Sequence, residues 1–329
     1  VLTLMSSFTS SFRQVVLHSP ASREYAVVGL SLLATLIVVG WGSEQWVSAK
    51  NLGFTKARQE LNSSTEVVIV GSSHFLGVKS NVTQLRSVNL SHPANSLEMI
   101  ALTAETAIDS TARPPLLVIE IGALVAVSDP SNLRDHAFVE LGVPPWRLPG
   151  NTIERLWRVL ERYPPFRVPR LTPQNIVQMR NPKLHASAQG FEVTRIGEYT
   201  ENGEFRANFI LQKITENESQ RQKNLAALEQ LLRSTEGFGV KVIAVMTPHA
   251  PSYRERMNQA AEELRMLQVE MCRRHRHVQV LDLFDSTAFG FTQAHFADSD
   301  HLNNTGHQLL ATYLRGVISQ DPPGFSRQE

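Results

Sequence analysis

Four short runs of aliphatic and β-branched residues constrain this chain more than any other feature. Val67-Val68-Ile69-Val70 ends at Gly71, and residues 116–121, 240–246 and 278–283 repeat the pattern. A strand with one wet face alternates apolar and polar residues, whereas a run that is apolar throughout is covered on both faces. Such runs belong to parallel sheets, whose strands must be joined by long crossovers, usually helices. The intervening sequence has that character. Leu97, Ile100, Ala101, Ala104 and Ile108 recur at helical spacing within residues 95–110, and residues 225–232 and 260–271 behave alike. The expected architecture is an α/β fold, a three-layer α/β/α sandwich with a mainly parallel sheet.

A separate segment sets where such a domain can sit. From Tyr25 to Ser43 no charged residue occurs, and the stretch would extend about 28 Å as a helix, close to the hydrocarbon thickness of a bilayer. Tyr25, Trp41 and Trp46 fall where interfacial aromatic residues are favoured. The segment is read as an uncleaved anchor. Val47-Ser48-Ala49 keeps a cleaved signal peptide as the rival reading. Arg13 and Arg23 precede the segment while Lys50, Lys56 and Arg58 follow it, so basic residues do not set its orientation. The organisation expected is a cytoplasmic tail over 1–24, a transmembrane anchor over 25–43, a stalk over 44–64 and a single α/β domain over 65–329.

Composition excludes several classes of function. A net charge of +1, without long runs of like charge, lacks the electrostatic footprint of a nucleic-acid binder. The single cysteine, Cys272, excludes an internal disulfide and any multi-cysteine metal site, and is read as a packing residue. Between about 128 and 215 the alternation of strands and helices breaks down. That stretch is rich in Pro, Arg and aromatic residues, including Arg134, Arg147, Arg155, Arg158, Arg162, Arg167 and Arg170, and is read as an insertion on the sheet. Its basic side chains suit either an anionic glycan or simple solvation. Asn202-Gly203, flanked by residues 191–196 and 204–207, predicts a β-hairpin.

Two places carry chemistry. At Gly71-Ser72-Ser73-His74 a buried strand runs into a glycine turn followed by hydroxyls. Ligands collect at the carboxyl ends of parallel strands, so a serine here is either a helix cap or a nucleophile. The second place is the loop Phe296–His307, which concentrates Asp298, Asp300, His301 and His307 before a last helix, with Asn304 or Thr305 as its predicted cap. Asp298 and His301 have the spacing for a carboxylate to hold an imidazole N–H while the other ring nitrogen acts as a base. The same four residues would also suit a metal, but no further ligand cluster completes such a set, so no metal is expected. His249 ends the third long run at the same edge and is a candidate to line the site. His275-Arg276-His277 sits at a predicted helix end, where cations meet the dipole favourably.

Together these ends resemble the SGNH, or GDSL-like, hydrolase superfamily, whose fold is flavodoxin-like. Gly71-Ser72-Ser73 looks like the family's first block, with Ser73 at the nucleophile position, and Asp298-Ser299-Asp300-His301 looks like its last Asp-x-x-His block. The resemblance implies a Ser73–His301–Asp298 triad and an oxyanion hole built from Ser73, Ala94 and Asn95, with His74 and His249 beside the substrate. It implies no cofactor. One departure stands out: Ile121-Gly122-Ala123 supplies the glycine of the third block without its asparagine. That departure, the apolar segment and the insertion are similar to membrane-anchored members that modify envelope polymers, of the alginate O-acetylation and teichoic acid D-alanylation types. The implied protein is a single-pass inner-membrane enzyme with its domain facing the periplasm or cell exterior. It would be an O-acetyltransferase or esterase for envelope polysaccharide, working beside a multi-span acyltransferase. A non-catalytic scaffold or glycan-binding protein with the same fold is the alternative.

Overall fold

A computed structural model of the chain describes residues 60–78, 85–92, 95–111, 116–129 and 203–320, with the single positions 31 and 147. Most of the apolar segment 25–43, of the stalk and of the stretch 128–202 lies outside these residues, as do Ala94 and the first arm of the expected hairpin. Among the described residues, no helix is long and apolar enough to cross a membrane.

Five strands form one sheet: β1 (Val67–Val70), β2 (Ser87–Asn89), β3 (Leu116–Ile121), β4 (Lys241–Met246) and β5 (Val278–Asp282). Their order is β2-β1-β3-β4-β5 and every neighbouring pair is parallel. The four apolar runs became β1, β3, β4 and β5. Ser87-Val88-Asn89 is an edge strand paired to β1 alone, too short and polar to register as a run.

Side chains leave the sheet alternately to two cores. Val68, Val70, Leu117, Ile119, Val242 and Ala244 face a layer made by α1 (Leu97–Ser110), α2 (Ala123–Val127), α3 (Gly203–Glu216), α4 (Glu218–Gly237) and α6 (Gln259–Arg273). Val67, Ile69, Leu116, Val118, Ile243 and Val245 face α7 (Asn304–Gln320) together with Phe75, Phe291, Phe296 and Leu302. The expected helix–sheet–helix layering is present. A short helix, α5 (Pro251–Arg254), follows β4.

The hairpin expectation is corrected. Glu204-Phe205-Arg206-Ala207 forms the first turn of α3, whose Ala207, Ile210 and Ile214 are buried in the first core. Their spacing of three and four residues is helical, and it outweighs the Asn-Gly signal. A Cβ on Gly203 would stand 2.8 Å from Ser252, so close contact with α5, rather than a hairpin turn, accounts for this glycine.

Buried polar side chains fix how the elements dock. Asn224 of α4 is fully enclosed; its amide donates to the carbonyls of Ala126 and Ser128, and its oxygen accepts from Glu98 N–H. Ser96 caps α1 by accepting from Met99 N–H. Arg147 is paired with Glu105 of α1, so this one arginine of the basic stretch is engaged structurally. Cys272 is buried, and burial pushes its thiol up to about 12, in keeping with a packing role.

Candidate active site

From β1 the chain steps outward to β2 and then returns to the other side of β1 as β3. At such a reversal the loops leaving the two adjacent strands diverge, opening a crevice at their carboxyl ends. Gly71-Ser72-Ser73 leaves β1 into this crevice and winds into a 3-10 turn over Ser73–Phe75. A Cβ at Gly71 would meet Phe75 at 2.7 Å and Glu120 at 2.8 Å, so only glycine allows the turn to lie this close to β3.

The turn delivers Ser73 to the loop that precedes α7. Ser73 Oγ lies 3.0 Å from His301 Nε2, and His301 Nδ1 lies 3.0 Å and 3.1 Å from the two Asp298 oxygens. Since the carboxylate can only accept, Nδ1 carries the proton, and Nε2 presents its lone pair to the serine hydroxyl. Asp298 Oδ1 also accepts from the backbone N–H of Asp300 at 2.8 Å and of His301 at 2.7 Å. Burial raises the Asp298 carboxyl, but the bonds to His301 and to these N–H groups outweigh it and hold the group below its ordinary value. The side chains of His301 and Asp298 are 24% and 28% exposed, so the chain of three groups is open to an incoming molecule.

The residues that follow His301 explain why the loop holds this shape. Leu302 is buried in the second core. Asn303, rather than Asn304 or Thr305, caps α7: its side-chain oxygen accepts from the N–H of Thr305 and Gly306, while its amide donates to Ala294 O and Phe296 O. His307 then donates a ring N–H to the His74 carbonyl at 3.1 Å, tying α7 back to the serine turn.

Behind the Ser73–His301–Asp298 chain lies a closed ionic cluster. His74 is 2% exposed; its Nδ1 is 2.6 Å from Glu120 Oε1 and its Nε2 is 3.1 Å from Asp300 Oδ1. Burial opposes a charge on this ring, but Asp300 and Glu120 prevail and push it up to about 10, making His74 an imidazolium. Glu120 further accepts from the Ser72 hydroxyl at 3.0 Å and from Ser72 N–H. Burial also works against the Asp300 carboxylate, yet the His74 charge beside it, with His301, holds it well below its ordinary value. His249 Nδ1 lies 3.3 Å from Asp300 Oδ1, off the line of a hydrogen bond, and its ring stacks on Tyr253. Burial keeps His249 below its ordinary value, hence neutral. Arg206 of α3 approaches the second Asp300 oxygen at 4.0 Å.

Three expectations change as a result. His74 is not beside the substrate: both ring nitrogens are spent on carboxylates inside the protein. His249 is equally enclosed, at 6% exposure. Asn95 is buried, with its amide donating to Gly71 O at 2.9 Å and its backbone N–H to His92 O, so it braces the serine turn instead of presenting a donor to the crevice. The third-block glycine is also committed: Gly122 N–H donates to Gln268 Oε1 at 2.9 Å. Ser73, Asp298 and His301 are brought together as expected, and Ala94 lies outside the described residues. Ser72 takes the cap role open to a serine here, accepting from His74 N–H, while Glu120 was missed although a carboxylate inside the apolar run Leu-Leu-Val-Ile-Glu-Ile is a visible signal.

Comparison with known proteins adds little to this geometry. No family model matches the chain, and no curated protein does. One similar solved structure is a protein described provisionally as a platelet activating factor from Streptococcus pneumonia, at 10% identity and a TM-score of 0.39, covering 84% of this chain and 95% of the other. That likeness bears on neither activity nor substrate.

Proposed function

We propose that this chain is a serine-dependent acyl-transfer enzyme of the SGNH type, held at the membrane by residues 25–43 and acting on envelope polysaccharide through an acyl-serine. The supporting observation is the continuous Ser73 Oγ–His301–Asp298 chain at the crevice between β1 and β3. His301 Nε2 takes the hydroxyl proton as Ser73 Oγ attacks an ester carbonyl, and Asp298 stabilises the imidazolium that forms. The family pattern assigns the developing oxyanion to the N–H groups of Ser73 and Ala94. Collapse breaks the ester C–O bond, His301 returns the proton to the departing alkoxide, and the acyl group stays on Ser73. In the second half an acceptor hydroxyl loses its proton to His301 and takes the acyl group, regenerating Ser73. A sugar acceptor makes the enzyme an O-acetyltransferase and water makes it an esterase.

A glycan-binding scaffold is the second reading. It draws on the commitment of Asn95 and Gly122 to internal bonds, which removes two groups that would otherwise serve the oxyanion. Labelling by a serine-reactive fluorophosphonate separates the readings. The wild-type protein takes up the label and Ser73→Ala does not; a folded wild type that takes up none, while retaining glycan, sinks the enzyme reading. Unchanged polymer acylation in cells carrying Ser73→Ala would sink the transferase form.

A further inference from the structure

A second cluster of ligating side chains lies at the opposite end of the sheet, where α4 ends and β5 begins. α4 stops at Gly237 and α6 at Arg273, after which His275-Arg276-His277 leads into β5. This connection is held firmly. His275 N–H donates to Cys272 O, Val278 N–H to His275 O, and Val242 N–H to His277 O, which extends the β4–β5 ladder by one residue.

Hydrogen bonding fixes which nitrogen of His277 is free. Thr235, fully buried, directs its only hydroxyl proton to the carbonyls of Leu231 and Leu232, at 3.0 Å and 2.8 Å. His277 Nε2, 3.0 Å from Thr235 Oγ1, must therefore donate. Its Nδ1 is left with a lone pair that is buried and has no hydrogen-bond partner. One ring N–H tied to a protein oxygen, with the other nitrogen bare, is the arrangement that orients a metal-binding histidine.

His275 stands beside it. The two rings are 5.8 Å apart between centroids and nearly perpendicular at 80°, so they converge from different directions. His275 is 8% exposed; its Nδ1 is 3.4 Å from Glu236 Oε2, and its buried Nε2 has no hydrogen-bond partner. One ligand atom each from Glu236, His275 and His277 lie within 4.8 Å of one another. Ligands at about 2.0–2.1 Å around a tetrahedral zinc ion sit about 3.3 Å apart, so closing the site asks for a modest contraction, and the exposed Glu236 can supply it. Glu229, 3.6 Å from His275, is engaged by Arg233 at 3.0 Å and Arg274 at 3.6 Å, which leaves Glu236 as the carboxylate for a cation.

We propose that Glu236, His275 and His277 form a divalent-metal site of the zinc class, with water in the fourth position, that fastens the end of α4 to the start of β5. Two imidazoles and one carboxylate suit zinc, and its neighbours nickel and copper, over magnesium or calcium, which take oxygen ligands. The position is remote from Ser73, so the metal's role is to hold structure.

The test is equilibrium dialysis of the metal-stripped 329-residue chain against Zn2+ and, separately, Mg2+, with bound metal counted and thermal unfolding followed. Wild type is expected to retain Zn2+ at micromolar free concentration, to melt at a higher temperature with it, and to ignore Mg2+. Glu236→Gln and His277→Gln should each bind one equivalent less, while His301→Ala binds as wild type does. Glu236 is exposed, so its variant reports even if His277→Gln fails to fold. Zinc binding unchanged by Glu236→Gln overturns the proposal. So does the absence of micromolar binding in wild type.

Discussion

His74 Nδ1 meets Glu120 Oε1 at 2.6 Å in a place that water does not reach. Glu120 is the penultimate residue of β3, His74 follows the candidate nucleophile in the β1 turn, and the far side of the ring reaches Asp300, next to His301. One imidazolium thus joins the three segments that set the spacing between Ser73 and His301. It also keeps two buried carboxylates compatible, with Arg206, 4.0 Å from the second Asp300 oxygen, as a more distant second cation.

His74→Gln should therefore leave Glu120 and Asp300 ionised without their common partner. Removing one member of a buried ion pair costs about 3–5 kcal/mol, and that loss is expected in urea denaturation. His74→Lys, which keeps a cation, should recover part of it. Equal stability of His74→Gln and wild type would contradict the assigned charge.

The same charge fixes a dependence on pH. The folded value of His74, about 10, lies above its ordinary 6.5, so its contribution is full below 6.5 and is lost as pH rises through about 10. Asp298 and Asp300 lie below their ordinary values; their contributions are present above the carboxylate range and are lost as pH falls through it. Denaturation midpoints measured across pH should be highest on the mildly acidic side of neutrality and decline towards alkali. In His74→Gln the alkaline decline should flatten.

Asp298→Asn tests the orienting carboxylate. An amide can donate to His301 Nδ1 and so favour the wrong tautomer, with a loss of about 10⁴-fold in rate for a triad of this kind. The rate of fluorophosphonate labelling should fall steeply while circular dichroism stays unchanged. Labelling at the wild-type rate would mean that Asp298 does not orient His301.

Gly77→Ala should be costly although Gly77 touches no reacting group. A Cβ there would come within 2.4 Å of the His307 ring, and the ring is anchored to His74 O. Overpacking of this sort costs about 1–3 kcal/mol. Thermal unfolding is the measurement; an unshifted transition would show that the His307 contact yields freely.

The sheet was legible because its long strands are rich in aliphatic residues, continuously so in β1, although β5, Val-Gln-Val-Leu-Asp, lies at the edge and is only partly buried. β2 escaped notice because Val88 is its only aliphatic residue, and its pairing is decided by β1 rather than by its own sequence. Helix α3 was mistaken for a strand because four residues after Asn202-Gly203 cannot reveal a period of 3.6, whereas Ala207, Ile210 and Ile214 together do. Ser73, Asp298 and His301 could be read from local spacing. The roles of His74, Asn95 and His249 could not, since each depends on which distant group faces it: a histidine beside a serine reads as a site residue until Glu120 and Asp300 are known to enclose it.

Ser73 and His301 are separated by 228 positions in the chain. The Ser73 turn leaves the strand β1, whereas Asp298 and His301 come from the loop before α7. A chain still emerging from the ribosome cannot bring Ser73 to His301, however well β1 and β3 have formed. Docking of α7, the last described element, completes the site, so any reactivity of Ser73 is withheld until the fold closes.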